Sequence, residues 1–106
     1  LAGVLLGAAD NRVPVMIDGL ISGAAALIAQ QLEPEVKNYL IPSHKSAEPG
    51  HIKIYQMLEL EPMLDLNMRL GEGTGAVLGM NLVEAAARTI REMATFAEAE
   101  VAGKEN

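Results

Sequence analysis

The chain has 106 residues, fourteen Asp and Glu against eight Lys and Arg, and a formal net charge of −6. Half of it is hydrophobic, only 3% is aromatic, and it has no Cys. That length makes one small domain. An acidic chain with scattered cations and no aromatic ladder is not a nucleic-acid surface. The lack of Cys excludes disulfides and thiolate metal sites and fits a reducing, cytoplasmic setting.

Leu1 opens inside an apolar run with no initiator Met and no cap, so Leu1 to Ala9 reads as the end of a helix that begins upstream. Asp10-Asn11 stops it. The start lacks the basic region of a signal peptide. Val13-Pro14-Val15-Met16-Ile17 is a β-branched run, predicted as a buried strand ended by Asp18-Gly19. Leu20 to Leu32 is predicted as a helix, apolar on nearly every face and therefore buried on most of them. Its longest apolar stretch, Leu20 to Ala29, is too short to cross a bilayer. Glu33-Pro34 begins a helical turn to about Asn38, and Tyr39-Leu40-Ile41 is a brief extended segment. Pro42 to Gly50 reads as a polar loop, with Pro49 in the first turn of a helix to about Leu58. Met63 to Leu66 is a candidate third strand. After a glycine-rich turn comes a long helix to about Ala99. Val83, Ala86, Ala87, Ile90, Met93, Ala94 and Ala97 form its apolar face, and Glu84 and Arg88 stand four apart on the polar one.

Strands alternating with helices predict an α/β unit with a parallel sheet, part of a Rossmann-like domain with flanking helices and a helix-rich C-terminus. Ligands of such sheets sit beyond the carboxyl ends of the strands. Asp18-Gly19, Ser43 to Gly50 and Leu70 to Ala76 fall at those ends.

Gly71-x-Gly73-x-x-Ala76 matches the dinucleotide fingerprint in its Gly/Ala form. The context does not match: a strand ending in an acid about 20 residues on is missing, and no Lys follows as in a phosphate loop. Three glycines let a backbone approach a ligand, and amides at a helix start favour negative charge. Glu72 stands between two of them. It reads equally as a general base and as an acid placed on the helix dipole.

His44 and His51 are seven apart, but Pro49 starts a helix between them, so they read as hydrogen-bonding residues rather than metal ligands. Ser43, His44 and Ser46 are candidates for polar ligand groups, with Lys45 as a positive charge. The alternative is a solvated loop. Asp18 either caps the helix after it or holds a ligand hydroxyl. Arg69 is a candidate phosphate or carboxylate partner, or equally a surface ion pair. The methionines at 57, 63, 68, 80 and 93 are packing residues.

Four blocks occur in order. They are Val13 to Gly19, Ser43-His44-Lys45-Ser46-Ala47-Glu48-Pro49-Gly50-His51, Met68-Arg69-Leu70-Gly71-Glu72-Gly73-Thr74-Gly75-Ala76, and Arg91-Glu92-Met93-Ala94-Thr95-Phe96. Together they resemble the nicotinate-nucleotide:dimethylbenzimidazole phosphoribosyltransferases over nearly the whole chain. The resemblance implies transfer of ribose phosphate from nicotinate mononucleotide to 5,6-dimethylbenzimidazole, giving α-ribazole 5′-phosphate and nicotinate in cobalamin synthesis. It implies no cofactor and no metal, small-molecule partners, and a homodimer in the full-length form. It makes Glu72 the base that takes the azole proton. Asp18, Gly19, Ser43, His44, Ser46, Leu70, Gly71 and Gly73 become candidate substrate contacts.

Family members are about three times longer, so residues 1–106 are expected to be a C-terminal α/β fragment, inactive alone, whose glycine-rich phosphate loop lies upstream. Two other readings stay open. One is a non-catalytic α/β binding or scaffold module. The other is the same transfer to a different base, such as another benzimidazole, a purine or a phenol.

Overall fold

The computed structural model of the chain describes residues 1–68 and 72–100. Helix α1 covers Ala2–Asp10. The Asn11 side-chain amide donates to the Gly7 carbonyl at 2.8 Å and helps close it. Pro14 has no amide hydrogen, so the ladder begins after it. Strand β1 is accordingly Val15–Ile17, shorter than the run from Val13. Helix α2 covers Leu20–Leu32, between Gly19 and Glu33-Pro34, as the pattern predicts. A 3₁₀ turn over Pro34–Tyr39 leads into strand β2, Leu40–Pro42.

Strands β1 and β2 are parallel, with Val15 opposite Leu40 and Ile17 opposite Pro42. A parallel pair needs a crossover, and α2 supplies it. The third strand expected over Met63 to Leu66 is reduced to one parallel bridge, Leu64 with His44. The Leu64 amide donates to the Ser43 carbonyl (2.9 Å) and the Lys45 amide to the Leu64 carbonyl (2.8 Å). The described residues thus form an α/β unit around a two-stranded parallel sheet, and a complete Rossmann-like domain is not among them.

Helix α3, Pro49–Leu58, packs on α2. Gly23 permits this approach: a Cβ there would lie 3.2 Å from Ile54 Cγ2. The core joins Leu5, Ile17, Ala25, Ala26, Ala29, Val36, Leu40, Tyr55 and Leu58. Full burial of a side chain such as Ile17 or Leu58 contributes about 1.5–3 kcal/mol.

Helix α4 covers Thr74–Glu92 and stops well short of Ala99. Met93 turns extended, at φ −78° and ψ 128°. The Thr95 hydroxyl then accepts from the Glu98 amide at 3.1 Å. That is the start of a separate turn, with a Thr three residues before a Glu. Arg88 pairs with Glu92 at 3.5 Å, rather than with Glu84 as the spacing predicts. The expected apolar face of α4 is not buried by this chain. Its buried positions are Gly75 and Gly79, whereas Ile90 is 85% exposed. Among the described residues no helix is long and apolar enough to cross a membrane.

Candidate active site

The carboxyl ends of β1 and β2 open on a cleft of about 300 Å³. Asp18 and Gly19 reach it from β1, and His44, Ser46 and Glu48 from the segment after β2. Glu72 and Gly73 close it from the turn before α4, and Leu1, Leu20, Ile21 and Ser22 complete the wall. The cleft is therefore apolar on the α1–α2 side. Three carboxylates, Asp18, Glu48 and Glu72, line the rest, and among the described residues no Lys or Arg does. Such a wall favours positive charge in a ligand. Lys45 lies elsewhere, 3.9 Å from Asp65.

Asp18 does not cap the helix that follows it. Gly19 takes the N-cap position, and the hydroxyl of Ser22, three residues on, accepts from the amides of Asp18 (2.9 Å) and Gly19 (3.0 Å). The Asp18 carboxylate is left to reach across the cleft. Its Oδ2 accepts from the Gly73 amide at 3.3 Å and its Oδ1 from the Ala76 amide at 3.1 Å. Asp18 thus caps α4, where a negative charge meets both free amides and the positive end of the dipole.

That cap matters because the turn is strained. Glu72 has φ 56° and Gly73 φ 78°. A non-glycine residue in that region costs roughly 1–2 kcal/mol. Hydrogen bonds to a charged acceptor contribute about 1.5–3 kcal/mol, so the Asp18 contacts are of the size needed to hold Glu72 there. Glu72 is exposed and is one of the residues that line the cleft.

The segment after β2 is not a solvated loop. Ser43, His44 and Ser46 are all buried. Helix α3 satisfies it through two residues one turn apart. The Ser46 amide donates to His51 Nδ1 at 2.9 Å, and the Tyr55 hydroxyl donates to the His44 carbonyl at 3.1 Å. Because His51 Nδ1 accepts, the neutral ring carries its proton on Nε2. Burial and then the neighbouring His44 lower the His51 pKa, against opposing pulls from Asp18 and Glu48. Burial pushes the Tyr55 phenol well above its ordinary range, so it stays a donor.

The Ser43 hydroxyl donates to the Ile17 carbonyl at 2.5 Å, and Ser43 is not part of the cleft wall. His44 is, and its Nε2 stands 3.8 Å from Asp18 Oδ1. Among the described residues His44 Nδ1 and His51 Nε2 are buried without a hydrogen-bond partner. No group of three or more His, Asp or Glu among them is arranged to hold a metal ion.

Of the residues singled out from the sequence, Asp18, Gly19, His44, Ser46, Glu72 and Gly73 meet at this cleft. Leu70, Gly71 and Arg69 lie outside the described residues. Glu48 and the apolar wall of Leu20 and Ile21 were not anticipated. Glu48 had one available signal, its place beside Pro49 at a strand-end loop.

A phosphoribosyltransferase family profile matches residues 1–101. The chain is 62% identical to a nicotinate-nucleotide–dimethylbenzimidazole phosphoribosyltransferase of Chloroflexus aggregans over 104 residues, 98% of this chain. It is 64% identical to a protein of the same name from a Roseiflexus species over an equal length. In each case it spans about 30% of the relative's length. A crystal structure of the nicotinate-nucleotide–dimethylbenzimidazole phosphoribosyltransferase of Thermus thermophilus superposes with a TM-score of 0.90 at 45% identity. That match covers 97% of this chain and 31% of the other.

Proposed function

Because this chain belongs to the phosphoribosyltransferase family, we propose that it forms part of an enzyme moving ribose phosphate from nicotinate mononucleotide to a benzimidazole-type base. The observation that carries this reading is Glu72, held at the wall of a carboxylate-lined cleft by an amide cap on the next residue.

In the reaction one ring nitrogen of the azole attacks C1′ of the ribose. The bond from C1′ to the pyridinium nitrogen breaks, and its electron pair returns to the ring, releasing nicotinate. The azole's other nitrogen loses its proton to the Glu72 carboxylate. The leaving group departs with a neutral ring, so the chemistry asks mainly for a base and for a negative field around a positive sugar. Glu72 supplies the first, and Glu48 adds to the second. The apolar wall of Leu20 and Ile21 suits the flat face of an aromatic base.

The described part of the wall is acidic, so the 5′-phosphate is assigned to groups other than the described cleft residues. The full-length enzyme is read as a homodimer. The exposed apolar side chains of α4, Ile90 among them, fit a face covered by the rest of the protein or by a second copy. The test is an assay of the full-length protein with nicotinate mononucleotide and 5,6-dimethylbenzimidazole. Ribazole phosphate and nicotinate should appear in equal amounts. Nicotinate release without ribosylated base, or neither product, would overturn the reading.

A further inference from the structure

We infer that Asp18 is the positioning residue that presents Glu72, acting through the α4 cap rather than by touching substrate. The inference rests on Glu72 being the base. Its footing is geometric. Both Asp18 carboxylate oxygens already accept amides, from Gly73 and Ala76, and these two amides bracket the start of the helix that follows Glu72. Asp18 itself is anchored from the other direction. It follows β1 directly, its amide donates to the Ser22 hydroxyl, and His44 Nε2 lies 3.8 Å from its carboxylate. The sheet end and the catalytic turn are therefore joined by one side chain across 55 residues. The left-handed backbone at Glu72 is the strained feature that this link offsets. A misplacement of about 1 Å at a reacting group can cost a hundredfold in rate.

The test is Asp18→Asn in the full-length enzyme, which keeps the side-chain volume and removes one acceptor and the charge. We expect kcat to fall about tenfold to a hundredfold, with little change in KM for nicotinate mononucleotide. Hydrogen exchange at the backbone amides of residues 72–78 should accelerate. In a Glu72→Gln background the same substitution should change the rate less than about twofold, because the two residues act as a unit. Asp18→Glu, which keeps the charge and shifts its position, is read by the same measurements should the Asn variant fail to fold. Unchanged exchange, an effect that multiplies fully with Glu72→Gln, or a raised KM at constant kcat would each overturn the inference. Near-normal turnover of Glu72→Gln alone would instead remove the base, while the exchange data still decide whether Asp18 holds the turn.

Discussion

The His44 ring occupies the space that a side chain at Gly75 would need: a Cβ built at residue 75 overlaps the imidazole. Together with Gly79, where a Cβ would stand 2.5 Å from Met16 Cε and 3.0 Å from Ser43 Cβ, this lets α4 lie directly on the strand ends. The glycines of this block thus serve packing as well as the turn itself.

Gly75→Ala should therefore destabilise the domain by about 1–3 kcal/mol, the usual cost of overpacking. Gly79→Ala should cost less, because the flexible end of Met16 can move. Thermal unfolding of both variants checks the order. His44→Ala should recover part of the Gly75→Ala loss by clearing the clash, and a strictly additive double variant would contradict this packing.

Ser43→Ala separates a structural serine from a substrate contact. The Ile17 carbonyl keeps the Ser43 amide at 3.2 Å when the hydroxyl is lost. The expected cost is thus that of one hydrogen bond, about 0.5–1.5 kcal/mol. Nucleotide affinity of the full-length protein should stay unchanged. Weakened binding with unaltered unfolding would return Ser43 to the substrate.

Stability should also depend on pH through His51. Its folded-state pKa lies below the ordinary 6.5, so the unfolded chain binds the extra proton more readily. The stabilisation is complete above pH 6.5 and is lost as the pH falls from there through the lowered folded value. Denaturant titrations from pH 7.5 down to pH 5 should show this decline, and His51→Gln should flatten it. An identical slope in that variant would assign the effect to other groups.

Much of this was legible in the chain itself. Gly19 and Glu33-Pro34 bound α2 because each interrupts helical backbone or its apolar pattern. Pro49 fixes the start of α3, and the glycine block marks a turn at a strand end. What was hidden depends on contacts distant in sequence. Asp18 looks like a cap for its own helix until Gly19 is seen at the N-cap with Ser22 bonded back to it. Ser43, His44 and Ser46 look solvated until His51 and Tyr55 are seen to satisfy the segment from α3. The early end of α4 had a local signal, Thr95 three residues before Glu98, but the apolar period running through Met93 and Ala97 outweighed it. That same stripe stays exposed here, so periodicity identified the face without identifying what covers it.

The most direct test of the account is the chemical step of Glu72→Gln in the full-length enzyme, followed by single turnover with saturating nicotinate mononucleotide and 5,6-dimethylbenzimidazole. The rate should fall by about 10²–10⁴, the usual contribution of a general base, with nucleotide Kd little changed. A rate near that of the unaltered enzyme would contradict Glu72 as the base.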